Sequence, residues 1–83
     1  MTNSQIMDDL TTLFRSVLAQ PALNLHRSTT ANDVAGWDSL NHAILLAQVQ
    51  KHFKVKFAVK EVITLRSVGE LADLVAAKCT ANN

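Results

Sequence analysis

In "GWDSL", residues 36–40, an acid and a hydroxyl stand side by side, Asp38 then Ser39, directly ahead of an apolar run. Two kinds of chemistry suit that pair. Asp and Ser are among the best residues for satisfying the free amides at a helix N-terminus. A serine on a first helical turn also suits a phosphodiester, because a phosphate there lies near unsatisfied amides and the positive end of the helix dipole. The three histidines, His26, His42 and His52, match no common metal-ligand spacing and read as surface or boundary residues. His42, one turn after Ser39, has a second reading as a contact to such a phosphate or to the loop before it. Cys79 has no histidine or acid placed beside it by sequence and reads as an inert helix residue rather than a nucleophile. No metal site is read from the chain.

The elements that must hold this pair follow from apolar spacing. Ile6, Leu10, Leu13, Phe14, Val17 and Leu18 recur at three- and four-residue intervals, which predicts an amphipathic helix over 5–20. Ser4 is the expected cap, Asp8 and Asp9 lie in or near the first turn, and Pro21 is the expected stop. Residues 21–38 show no period, although Leu23, Leu25 and Val34 can pin this connection to a core. Structureless loops of that length are uncommon in small domains and are usually functional or mobile. The next helix runs from Asp38 or Ser39 to about Phe53 and has two apolar faces. Leu45, Leu46, Val49 and Phe53 form the core side, while Leu40, Ala43, Ile44 and Ala47 form a second stripe, covered by the loop or offered to a partner. "AVKEVITL" predicts a short third helix through Val59, Val62 and Ile63, with a short strand as the alternative. Ser67 and Glu70 in "SVGE" form a capping-box pattern. It opens a last helix with Val68, Leu71, Leu74, Val75 and Ala76 inward, and the "TANN" tail is expected to fray.

These elements make an all-α fold, a small four-helix bundle with a long loop between helices one and two and a short third helix. The expected single domain is 1–83, ordered over about 4–79. An 83-residue chain buries one small core and leaves little room for a deep catalytic cavity, so an enzyme is disfavoured. Eight Lys and Arg against seven Asp and Glu give a net charge of +1 with no basic patch, so nucleic acid is not an expected partner. A lone cysteine and an N-terminus without a signal-like apolar run point to reducing cytoplasm. No apolar run is long enough for a membrane span, and a soluble monomer is expected.

Together, "GWDSLNHAILLAQVQKHFKVKF" and "EVITLRSVGELADLV" resemble the acyl carrier protein family over the register of nearly the whole chain. The resemblance implies a four-helix bundle whose serine in "DSL" accepts 4'-phosphopantetheine from coenzyme A through a separate phosphopantetheinyl transferase. By resemblance Ser39 is that acceptor, Asp38 the acid used in transferase recognition, and Leu40 an apolar contact for the transferase and other partners. Trp37 stands where many members carry a small residue, and "GWDSL" is similar to carriers beside polyketide, peptide and specialised biosynthetic enzymes. The implied function is to hold acyl groups as thioesters and pass them among acyl-loading and acyl-processing enzymes. In the family an acyl chain can fold between helices. Leu45, Leu46, Ile63 and Leu65 are candidates to line that space here, with simple core packing as their other reading.

One departure from the family is large. Members typically carry several acids along helix two, whereas residues 39–57 here contain none and include Lys51, Lys54 and Lys56. Partner contact is therefore expected through Trp37, Leu40, Ala43, Ile44, Ala47 and Lys51, with less long-range charge steering. A specialised pathway is expected for the same reason. Two other readings stand beside this one: a peptidyl or aminoacyl carrier, and an unmodified helical domain that binds a partner helix through the Leu40, Ile44 stripe.

Overall fold

A computed structural model of the chain describes residues 2–81. Four helices run in order, α1 Asn3–Val17, α2 Ser39–Phe53, α3 Val59–Val62 and α4 Val68–Ala81, and a single 3-10 turn at Ala31–Asp33 interrupts the long α1–α2 connection. There is no strand among the described residues, so "AVKEVITL" resolves to the helical alternative.

The start of α1 lies earlier than its apolar period alone predicts. Thr2, not Ser4, is the cap: its hydroxyl accepts from the Gln5 amide at 3.1 Å while the Gln5 side chain accepts from the Thr2 amide at 3.0 Å. Two satisfied amides outweigh the one that Ser4 could offer. Asp8 and Asp9 consequently sit beyond the first turn. The helix also stops before Pro21. Ala19 takes a left-handed φ of 54°, and its amide and that of Gln20 return to the carbonyls of Ser16 and Arg15. This is the double reverse bond of a Schellman ending, made here without glycine.

α1 packs on both α2 and α4. Ile6, Leu10 and Phe14 from α1, Leu45, Leu46, Val49 and Phe53 from α2, and Val68, Leu71, Ala72 and Val75 from α4 are all buried in one cluster, with Val55 beneath the α2–α3 link. The core face expected for α2 is the one observed. In α4 the inward residue is Ala72, whereas Leu74 is only half buried. Val68, Leu71 and Val75 are buried as expected, so the stripe keeps its direction and differs only at its edge, where Ala72 replaces Leu74. Thr80 and Ala81, expected in the frayed tail, are helical, and Asn82 and Asn83 lie outside the described residues.

The long connection is tied down at several points. Arg15 donates to the Leu23 carbonyl and to the Asn24 side chain, and the Gln20 side chain donates to the Ala35 carbonyl. Val34 is buried, and Leu23 and Leu25 pack on the core as expected. The first amides of α4 donate back to this loop, Val68 to the Thr29 carbonyl at 2.9 Å and Gly69 to the Arg27 carbonyl at 2.8 Å. Arg27 adds a two-oxygen ion pair with Asp73. The rest of the α4 end is closed by the expected capping box, in which the Ser67 hydroxyl accepts the Glu70 amide and Glu70 accepts the Ser67 amide.

Gly69 makes this close approach possible. A Cβ at that position would stand 2.8 Å from the Arg27 carbonyl oxygen. Gly69→Ala is therefore expected to destabilise the fold by about 1–3 kcal/mol through overpacking, although alanine is the better helix former by roughly 1 kcal/mol. Urea unfolding of the two proteins checks it, and equal or higher stability of the variant would contradict the contact.

Candidate functional site

The end of the long loop delivers "GWDSL" to the start of α2. Gly36 has a φ of 83°, which bulkier residues rarely adopt, and this turn sends the chain from the loop into the helix. Its carbonyl accepts from the Asn41 side chain at 2.7 Å. Asp38 is the α2 cap: its carboxylate accepts the Asn41 amide at 2.9 Å, and its carbonyl accepts the His42 amide at 2.8 Å. Ser39 is the first helical residue and is exposed, and its hydroxyl has no hydrogen-bond partner among the described residues. The capping task falls to Asp38, which leaves the serine hydroxyl free.

Trp37, expected among the partner contacts, is half buried. Its ring meets Phe14 edge-on with centroids 5.0 Å apart, so the residue before the Asp38–Ser39 pair is anchored to the core of α1. On its other side Trp37 lies nearly parallel to the His42 ring, and its indole N–H donates to His42 Nδ1 at 2.9 Å. That bond requires an unprotonated Nδ1, which makes the neutral imidazole with its proton on Nε2 the matching form. His42 thus contacts the loop through Trp37, one of its two expected roles. The link was not legible in the sequence, because neither residue alone signals the other.

Burial holds the His42 pKa below its ordinary value of 6.5. In the unfolded chain the ring regains that ordinary value, so on acidification the unfolded state takes up a proton first. Stability owed to neutral His42 is present above about pH 6.5 and declines as pH falls toward the lower folded value. The thermal midpoint is expected to drop across this mildly acidic range, and His42→Gln, which keeps an acceptor but cannot titrate, should shrink the drop. An unchanged pH profile in that variant would be inconsistent with it.

The remaining candidates fall in different places. Leu40 is 71 % exposed and Ile44 41 %, and Ala43, Ala47 and Lys51 are also exposed along the outer stripe of α2. The loop therefore does not cover that stripe. Of the four residues considered for an acyl space, Leu45 and Leu46 belong to the packed core, Ile63 is 73 % exposed on the solvent side, and only Leu65 lines an open cleft beside Ser39. Trp37, Asp38, His42 and Arg66 share that cleft. Arg66 was missed because the α3–α4 loop meets α2 only in the folded chain.

The other histidines do other things. His52 faces Asp9 of α1 at 3.1 Å, and His26 is exposed in the loop. Among the described residues no group of His, Cys, Asp and Glu is gathered as a metal site, and no helix is long and apolar enough to cross a membrane. Cys79 is half buried against the core.

Comparison with known proteins adds the family. The family described as "Phosphopantetheine attachment site" matches residues 8–75. No curated protein matches significantly. Among solved structures, the chain is similar to the holo acyl carrier protein from Geobacter metallireducens, with 43 % identity, a TM-score of 0.87, and coverage of 93 % of this chain and 88 % of that one. A family match over most of the chain, joined to that degree of identity and the same four-helix fold, shows that this chain belongs to the acyl carrier protein family, whose members serve biosynthetic enzymes as carriers.

Proposed function

We propose that Ser39 carries the 4'-phosphopantetheine arm. The observation that carries this reading is a solvent-facing hydroxyl with no protein partner, on the first residue of a helix whose cap is supplied by the residue before it. The local chemistry fits the group. The Ser39 and Leu40 amides have no protein acceptor among the described residues, and the positive end of the α2 dipole points the same way. In the modification, the Ser39 oxygen forms a bond to phosphorus as the pyrophosphate bond of coenzyme A breaks. Adenosine 3',5'-bisphosphate leaves, and the hydroxyl proton passes to a base on the transferase. When bound, the arm supplies a thiol that holds an acyl group as a thioester.

The chain's own residues then orient and present the arm. Asp38 fixes the helix end and is the acid that the transferase reads. Leu40, Ala43, Ile44, Ala47 and Lys51 form the docking face, with Trp37 contributing only the part of its ring left outside the core. On this reading the chain is a single-domain, monomeric, cytoplasmic carrier and not a catalyst. Its partners are the transferase and the acyl-loading and acyl-processing enzymes of a specialised pathway. The absence of acids from residues 39–57 supports that assignment, because a face without them cannot meet the basic surfaces suited to acidic carriers.

Incubation of the apo chain with coenzyme A, magnesium ion and a broad-specificity phosphopantetheinyl transferase is expected to add one arm by intact mass. No gain with any transferase would reject the reading. The docking face carries its own expectation. Leu40→Ala should weaken transferase binding roughly tenfold, as for the loss of an exposed apolar anchor, while added salt should have little effect. A steep salt dependence that disappears on neutralising Lys51 would show that charge governs docking instead.

A further inference from the structure

Arg66 is a cation without an assigned task. The ion pairs among the described residues are Arg27–Asp73, His52–Asp9 and Lys78–Glu61, and none uses the Arg66 guanidinium. Its backbone is nevertheless held in place. The Arg66 and Ser67 amides both donate to one oxygen of Glu70, at 2.7 and 3.0 Å, so the α4 capping box fixes the root of the side chain while its head is left unpaired. Arg66 lines the cleft of about 320 Å³ that also contains Ser39, together with Leu65, Trp37 and His42.

We propose that this cleft seats the first segment of the arm, with Arg66 as counterion to the phosphodiester and Leu65 and Trp37 as an apolar wall for the branched carbon that follows it. The proposal rests on Ser39 as the attachment residue. Its physical basis is the local charge. A phosphodiester on Ser39 adds a negative charge next to the Asp38 carboxylate, which lines the same cleft, and His42 in its neutral form offers nothing to offset it. The guanidinium supplies the missing positive charge and can place two N–H donors on the phosphate oxygens. The next part of the arm is a quaternary carbon bearing two methyl groups, which has no use for polar partners. Half-buried Leu65 and Trp37, with Ala31, are the apolar residues that line that cleft with Ser39. The arm root would therefore lie toward the α3–α4 loop and leave the Leu40, Ile44 stripe open to partners.

The test compares apo and fully converted protein, conversion being judged by intact mass, through the Trp37 Nε1–H and Arg66 Nε–H resonances and the phosphorus resonance. Conversion is expected to shift both nitrogen-bound protons. It should also place the phosphorus signal away from its position in the same holo protein unfolded in urea. In Arg66→Ala the conversion-dependent Trp37 shift is expected to be lost and the phosphorus signal to move toward the unfolded position, while Arg66→Lys keeps part of both. The Arg66 side chain is exposed and unpaired, so its removal should leave the thermal midpoint of the apo protein in place. Unmoved Arg66 and Trp37 signals in a fully converted sample, or a Trp37 shift that survives Arg66→Ala, would overturn the proposal. Failure of the attachment reading looks different: no mass gain, or a gain that persists in Ser39→Ala.

Discussion

Ser39→Ala is expected to give a folded protein that gains no mass from coenzyme A under conditions that convert the wild type completely. The two halves of this expectation have separate causes. Modification is lost because the acid-then-serine pair at a helix start occurs at Ser39: Ser67 is committed to the Glu70 amide, Ser16 lies inside α1, and Ser4, in the first turn of α1, follows Asn3 rather than an acid. Stability is kept because the Ser39 hydroxyl bonds to none of the described residues and α2 is capped by Asp38. Alanine is the better helix former, so the variant should be as stable as the wild type or a few tenths of a kcal/mol more so. Asp38→Ala should behave in the opposite manner. It removes the acceptor for the Asn41 amide and costs about 1 kcal/mol, and it slows modification without abolishing it. Denaturant titration and intact mass on the same two variants separate the tether from its support. A mass gain in Ser39→Ala would move the attachment site elsewhere.

Phe14→Ala is expected to lower stability by about 3–5 kcal/mol, the usual range for truncating a buried aromatic. Phe14 is wholly buried and is among the largest side chains in the core, so little of the resulting cavity can reach solvent. In a domain of this size the loss is a large share of the total, because folded chains hold only roughly 0.05–0.15 kcal/mol per residue. A thermal midpoint lower by more than about 10 °C is expected. The damage also reaches the site, because Phe14 supports Trp37 and Trp37 precedes the Asp38–Ser39 pair. Phe14→Leu fills most of the space but not the edge-to-ring contact. It should keep the fold while weakening the Trp37–His42 hydrogen bond, visible as a shift of the indole N–H resonance. A Phe14→Ala midpoint within a few degrees of wild type would show that the core closes around the loss.

The division between what the sequence discloses and what it conceals runs along range. The core face of α2 and its end near Phe53 were legible because both are local patterns, while its start was read as Asp38 or Ser39 and resolves with Asp38 as the cap. The Ser67–Glu70 box was legible for the same reason. α1 was misplaced at both ends by competition between local signals: Thr2 with Gln5 beat Ser4, and the reverse bonds at Ala19 and Gln20 stopped the helix before Pro21 could. The long connection carried no period because it is held not by its own regular bonds but by Arg15, Gln20 and the first turn of α4. Nothing in a linear pattern marks Gly69 as the point where Arg27 must pass. At the site, the acid and hydroxyl were legible as a pair, whereas Trp37 as a core-anchored support and Arg66 as a neighbour depend on contacts between distant segments.

The bonds between the loop and α4 also settle which helix end can attract an anion. Every amide in the first turn of α4 is already engaged, Val68 and Gly69 by loop carbonyls and Glu70 and Leu71 by Ser67. At α2 the Ser39 and Leu40 amides have no protein acceptor among the described residues. The same loop that closes one helix end therefore leads, a few residues later, to one it leaves open. Inorganic phosphate or sulfate diffusing to this molecule meets at α4 an end that has lost its donors to its own chain. Amide hydrogen exchange should sort the two ends accordingly, slow at Val68 and Gly69 and fast at Ser39 and Leu40.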